Sequence, residues 1–235
     1  MKKEAVILAG GFGTRLQSVV KEQPKPLAPI QGKPFLDYLL QYLESYHINR
    51  VILAIGYKSD QIIERYKNGF NAIEIVFAEE KEALGTGGAI KNALLMAETE
   101  NVLILNGDSI FKINLNQFFN SNTKNCPLML ALRKIENASR YGQVEINSNN
   151  LVTAFKEKTI EEQSGLINAG IYLIQKTWLL AMNFPTKFSF ETEVLMKLYS
   201  SENFMGIEFQ AYFIDIGIPE DYAKAQNDFL HFEQL

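Results

Sequence analysis

The sequence predicts a three-layer α/β fold, in which a mostly parallel, mixed central sheet carries helices on both faces. Three observations predict it. Short runs rich in Val, Ile and Leu alternate with amphipathic stretches through the first half of the chain, the pattern of strand–helix repetition. The apolar runs stop at glycine-rich or polar segments, "GGFGTR" after "AVILA" and "NGD" after "NVLIL", at the strand ends where open sheets of this kind bind ligands. Hydrophobic residues make up 47% and charged residues 21% of 235 residues, enough apolar material to cover both faces of a sheet.

Each element follows from its pattern. "EAVILAG" (4–10) reads as a buried strand. "FLDYLLQYLESY" (35–46) is helical, with Leu36, Leu39, Leu40 and Leu43 on one face. "RVILAIG" (50–56) is a strand, and "SDQIIERYKN" (59–68) a helix with Ser59 as its expected N-cap. "IEIVFA" (73–78) is a strand, "TGGAIKNALLMAE" (86–98) a helix and "NVLILNGD" (101–108) a strand. Beyond about residue 124 the pattern changes. "PLMLALR", "YGQVEI", "LVTAFKEK" and "LINAGIYLI" are strand-like with short turns, and helices are expected near 176–182 and 190–199. "AYFIDIG" reads as a last strand and "PEDYAKAQNDFLHF" as a final helix, with Pro219 early and acids in its first turn. No low-complexity linker or hexapeptide repeat interrupts the chain, so residues 1–235 are expected to form one domain with halves 1–123 and 124–235.

Composition excludes several function classes. A net charge of −4 and a pI near 5.4 argue against a nucleic-acid or acidic-membrane surface. The single cysteine, Cys126, rules out a disulfide framework, and two histidines, His47 and His231, are too few for most histidine metal sites. The opening "MKKEAVILAGG" is a poor signal peptide, because Glu4 interrupts its basic end and the apolar run is short. A cytoplasmic location is expected. Oligomeric state is left open, self-association included.

"GGFGTR" fails two familiar phosphate-binding templates. A dinucleotide fingerprint needs a third glycine where Leu16 stands, and a Walker loop needs a Gly-Lys-Ser/Thr that is absent. The amides of Gly10 to Thr14 can still form an anion-binding nest, with Arg15 presenting a guanidinium fork to a polyphosphate. In "KEQPKPLAPIQGKP", Pro24, Pro26 and Pro29 stiffen the backbone around Lys25, so its ammonium is placed at low entropic cost.

"LAGGFGTRL", "PKPLAPIQGKPFLDYLL", "LGTGGAI", "NGD", "FKEK", "NAGIY" and "DIGIPEDY" occur in that order. The set resembles the sugar-1-phosphate nucleotidyltransferase family over nearly the whole chain. The resemblance implies a Rossmann-like nucleotidyltransferase fold, residues 1–123 binding the nucleotide and 124–235 the sugar phosphate. It implies that Leu8, Ala9, Gly10, Gly11, Gly13 and Thr14 wrap a nucleoside triphosphate, with Arg15 on its departing phosphates and Lys25 where the two phosphates meet. Asp108 and Asp215 would hold Mg²⁺, which suits two carboxylates completed by phosphate oxygens. Lys158 would grip the sugar phosphate, with Glu157, Asn168, Gly142 and Glu193 on the sugar.

For the base, the resemblance points to Glu80 beside Gly85 and Thr86. A carboxylate only accepts hydrogen bonds. Guanine's Watson–Crick edge offers two adjacent donors, uracil one, and cytosine and adenine place an acceptor beside their amino group, so Glu80 favours GTP, with UTP second. Overall likeness implies a manno-heptose 1-phosphate ahead of mannose 1-phosphate, the product feeding surface-glycan synthesis. The rival from another class is a nucleotide-sugar sensor, which would be expected to lose Lys25 or a metal carboxylate.

Overall fold

The computed structural model describes residues 2–11, 13, 16, 20, 23–121, 126–156 and 163–234. In chain order the strands are β1 (Glu4–Leu8), β2 (Pro29–Ile30), β3 (Lys33–Pro34), β4 (Arg50–Ile55), β5 (Glu74–Glu79), β6 (Asn101–Asn106), β7 (Ser109–Phe111), β8 (Leu128–Ile135), β9 (Gln143–Ile146), β10 (Val152–Lys156), β11 (Gly165–Gln175), β12 (Met205–Glu208) and β13 (Phe213–Asp215). The α-helices are α1 (Phe35–Ser45), α2 (Ser59–Tyr66), α3 (Gly85–Leu94), α4 (Leu115–Asn120), α5 (Lys176–Ala181), α6 (Met196–Leu198) and α7 (Pro219–Asp228).

Among the described residues nine strands form one mixed sheet. Its parallel part has β1 between β4 and β6, with β5 beyond β4. Side chains alternate across each strand, so the sheet divides two cores. Ala5, Ile7, Val51, Leu53 and Ile55 face one core with Leu36, Leu39, Leu40 and Leu43 of α1. Val6, Ile52 and Ala54 face the other with Ala89, Ile90, Ala93 and Leu94 of α3. Burial on both faces is why these strands read as unbroken apolar runs.

The second half extends the sheet antiparallel. β11 pairs with β6 on one side and with β8 and β9 on the other, and β12 adds parallel to β8. Between Asn168 and Tyr172 the β11–β8 register shifts. Irregularities of this kind re-aim side chains near functional sites; here it falls at Asn168. β13 does not join this sheet. It forms an antiparallel ribbon with β7, placing Asp215 opposite Ser109, and the Ile216 N–H donates to the Asp108 carbonyl at 2.9 Å.

Local expectations differ at three points. The α2 cap position is Lys58, in the left-handed region at φ 53°, rather than Ser59. The Ser59 hydroxyl donates instead to Glu79 at 2.7 Å. The stretch near 190–199 is a π-helix over Phe190–Leu195 running into α6. The C-terminal helix ends at Asp228, and His231 is non-helical within the 3₁₀ segment Phe229–Gln234. Cys126 is buried, its thiol against the Leu128 carbonyl. No helix among the described residues is long and apolar enough to cross a membrane.

One polar knot sits at the base of the sheet. Glu4 is fully buried, accepts the backbone N–H groups of Glu98 (2.7 Å) and Thr99 (2.5 Å), and pairs with the buried Arg50. Burial alone raises the Glu4 carboxyl, but the hydrogen bonds from Thr99, Arg50 and Glu98 outweigh it and hold the pKa below its ordinary value. A depressed carboxyl stabilises the fold above its unfolded pKa, and that stability is lost as pH falls through the folded value. Glu4→Ala removes the buried partner of Arg50 and leaves it the exposed carboxylates of Glu74 (3.3 Å) and Glu98 (3.6 Å); it is expected to lower unfolding free energy by about 3 kcal/mol in urea titration at neutral pH. A loss within error of zero would show that those surface pairs suffice for Arg50.

Candidate active site

Two cavities open at the carboxyl ends of the parallel strands. The smaller, about 330 Å³, is lined by Leu8, Ala9, Gly11, Gly13, Lys25, Thr86 and Asp108 among others. The larger, about 850 Å³, is lined by Asp108, Gly142, Asn168 and Asp215 among others. They share Asn106, Asp108 and Glu191, so a ligand in one abuts a ligand in the other at Asp108.

The fold positions these groups by short-range devices. β1 ends at Leu8, whose carbonyl accepts the Gly107 N–H at 3.0 Å, drawing the ends of β1 and β6 together. Lys25 opens a 3₁₀ turn over Lys25–Leu27, with Pro24 extended before it and Pro26 behind. Gly13 has φ +60°, and a Cβ there would lie 3.0 Å from the Lys25 Cβ, so the loop can pass this close to Lys25 only as glycine.

The Lys25 ammonium is nearly buried, with its side chain 9% exposed, 2.7 Å from Asp108 Oδ2 and 3.8 Å from Asp215 Oδ1. The β7–β13 ribbon brings these two carboxylates together across the chain. Asp215 Oδ1 also accepts the Gly217 N–H at 2.7 Å. A cation already lies between the two carboxylates. Their hard oxygens, converging beside an open cavity, fit a divalent ion such as Mg²⁺ that fills its remaining positions with water and phosphate oxygens. Among the described residues no group of three His, Cys, Asp or Glu side chains forms a metal site, so the protein's share of such a site would be these two.

Glu80 follows β5 and lies beside Gly10, where a Cβ would approach its Oε1 to 3.2 Å. The Leu84 N–H donates to Oε2 at 3.0 Å. Burial pushes the Glu80 carboxyl up, partly offset by Leu84. Gly85 has φ +71°, and a Cβ would come within 2.5 Å of the Phe188 carbonyl oxygen. Its immediate requirement is therefore backbone packing at the start of α3.

In the larger cavity the Asn168 Nδ2 donates to the Tyr172 hydroxyl at 2.7 Å, and Oδ1 accepts the Gly170 N–H at 3.2 Å. Tyr172 is buried, and burial first, then the Glu191 and Asp108 charges, drive its pKa up. It stays a neutral phenol.

Gly10, Glu80, Gly85 and Glu193 line neither cavity. Glu193 pairs outward with Lys197 at 2.7 Å. Thr14, Arg15, Glu157 and Lys158 lie outside the described residues. Sequence reasoning missed Arg140, Tyr141 and Glu191. Arg140 and Tyr141 line the larger cavity, Arg140 pairing with Asp221 at 2.6 Å. Their adjacency to Gly142 was the available signal. Lys156, equally readable as an outward charge, also lines the larger cavity and pairs with Glu145.

A family model described as Nucleotidyl transferase matches residues 4–231. A D-glycero-alpha-D-manno-heptose 1-phosphate guanylyltransferase of Aneurinibacillus thermoaerophilus is 45% identical over 97% of this chain and 99% of its own. The crystal structure of HddC from Yersinia pseudotuberculosis complexed with GMP-PN is similar at TM-score 0.87 and 39% identity, covering 97% of this chain and 99% of that one. A putative glucose-1-phosphate thymidylyltransferase from Bacillus anthracis, at TM-score 0.79 and 19% identity over 97% of this chain and 94% of that one, shares the fold.

Proposed function

The chain belongs to the nucleotidyl transferase family, and on that premise we propose that it transfers GMP from GTP to a manno-heptose 1-phosphate, giving a GDP-sugar and pyrophosphate. The observation that carries this reading is the meeting of two cavities at Asp108, with the Lys25 ammonium 2.7 Å away. Guanylyltransferases for manno-heptose 1-phosphate are similar to this chain over nearly its full length, which supports the choice of substrates. GTP as donor implies a cytoplasmic reaction.

Both substrates are anions, and their repulsion is the main obstacle. The triphosphate occupies the smaller cavity, against Gly11, Gly13 and Lys25, with Arg15 and Thr14 assigned to its phosphates. The sugar 1-phosphate occupies the larger cavity, with Gly142, Asn168, Glu157 and Lys158 as its partners. Mg²⁺ held by Asp108 and Asp215 would supply charge neutralisation on the phosphate oxygens. Lys25 fixes the two phosphates within bonding range and offsets the charge that develops between them. An oxygen of the sugar 1-phosphate attacks the α-phosphorus, the bond from that phosphorus to its bridging oxygen breaks, and pyrophosphate departs. The attacking phosphate is already ionised near neutral pH, so no general base is required.

Incubating the protein with GTP, a manno-heptose 1-phosphate and Mg²⁺ tests this by ³¹P NMR and mass spectrometry. A GDP-sugar with stoichiometric pyrophosphate is the expected product, abolished by chelator. GTP consumption to GDP and phosphate alone would overturn the reading.

Glu80 is proposed to read the guanine edge with its ionised carboxylate. Glu80→Gln turns one acceptor into a donor, and GTP-over-ATP selectivity is expected to fall by roughly 10-fold or more. Burial raises the Glu80 pKa, so the ionised form opposes folding above that value. The variant is accordingly expected to be as stable as wild type at pH 7, or more so. Selectivity measured by competing nucleotides at fixed sugar checks it, and unchanged selectivity would assign base reading elsewhere.

A further inference from the structure

The wall shared by the two cavities holds a carboxylate that the mechanism above does not use. Glu191 sits in the π-helix Phe190–Leu195. π-turns recur at functional sites. Here Glu191 lines both cavities, while Glu193 pairs with Lys197.

The carboxylate is clamped from the nucleotide half and from its own loop. Its Oε2 accepts the Thr86 hydroxyl at 2.6 Å and the Ser189 hydroxyl at 3.1 Å. Thr86 Oγ1 in turn accepts the Phe190 N–H at 2.9 Å. The first turn of α3, which carries Thr86, packs against this loop, the Gly87 N–H donating to the Phe188 carbonyl at 3.0 Å. Oε1 has no hydrogen-bond partner among the described residues.

A carboxylate accepts hydrogen bonds and repels phosphate. The groups that suit Oε1 are therefore hydroxyl donors. Leu195 and Met196, which follow in the same segment, line the larger cavity only. Asn168, in that cavity, is oriented by Tyr172 and Gly170 and keeps one N–H and one lone pair for the sugar. Glu191 is the carboxylate of the shared wall that is neither held by Lys25 nor assigned to the metal.

We infer that Glu191 Oε1 accepts a hydrogen bond from a ring hydroxyl of the sugar 1-phosphate, with Thr86 and Ser189 fixing its direction. This rests on the reading of the larger cavity as the sugar site. It makes Glu191 a specificity-determining residue, and it ties the sugar's orientation to the α3 turn beside the nucleotide.

Glu191→Gln tests it. The glutamine carbonyl can keep the Thr86 contact, which directs the amide N–H toward the sugar and removes the acceptor. The expected result is a KM for the sugar 1-phosphate raised roughly 10- to 100-fold, the KM for GTP nearly unchanged and the thermal midpoint retained. Singly deoxygenated sugar 1-phosphates locate the contact. One deoxy analogue is expected to react poorly with wild type yet no worse than the parent sugar with the variant. Ser189→Ala, which loosens Oε2 without touching the sugar, is expected to raise the same KM by a smaller factor. A rise in the GTP KM alone would place a ribose hydroxyl there and overturn the inference. Unchanged kinetics, or strictly additive penalties for every deoxy analogue, would overturn it while wild-type product formation leaves the proposed reaction standing. A wild-type protein that forms no nucleotide sugar would overturn both.

Discussion

Lys25→Ala is expected to lower kcat by about 10²-fold or more, with a smaller change in the KM for GTP. The ammonium is held by a proline-flanked 3₁₀ turn, nearly buried, at the junction of the two cavities and within 2.7 Å of Asp108. A charge fixed at the junction favours the arrangement in which two phosphates share an oxygen-bridged transition state over the separated ground state. Its removal should therefore appear in turnover. Steady-state pyrophosphate release by the purified variant, with thermal melting to establish the fold, measures the effect. Near-wild-type turnover in a folded variant would remove Lys25 from the chemistry.

Asp108→Ala is expected to lower kcat by a similar factor, about 10²-fold or more, and to raise the divalent-ion concentration needed for half-maximal rate. Asp108 stands in both cavities, and its carboxylate is one of two that converge on the cation position. The side chain is 40% exposed, and its backbone carbonyl accepts the Ile216 N–H independently of it. The β7–β13 ribbon should therefore survive the substitution. Wild-type turnover and an unshifted metal dependence would assign the ion to other ligands.

The first half of the fold was legible because its strands are buried on both faces. After Arg50, "VILAI" has no polar position to disguise it, and Leu36, Leu39, Leu40 and Leu43 mark one face of α1. The short strands β7 and β12 and the helix α4 were not read, since three to six residues carry too little periodicity to register. The motif order pointed to Asp108 and Asp215, but what joins them is a pairing between Ser109 and Asp215 across most of the second half, which no local pattern encodes. Glu191 stands two residues from Glu193 in the same π-helix, and no local pattern distinguishes the carboxylate that lines the cavities from the one that pairs with Lys197. Gly85 reads as a nucleotide contact from its motif, and its φ of +71° and its approach to Phe188 add a backbone-packing requirement that the motif does not encode.

The most direct test of the account is pyrophosphate release, with Mg²⁺, across a grid of the four nucleoside triphosphates and a panel of sugar 1-phosphates that includes manno-heptose, mannose and glucose. The account predicts a single peak at GTP with a manno-configured sugar, highest for the heptose. Release from no pair, in a protein that still binds GTP tightly, would contradict it and make the chain a nucleotide-sugar sensor.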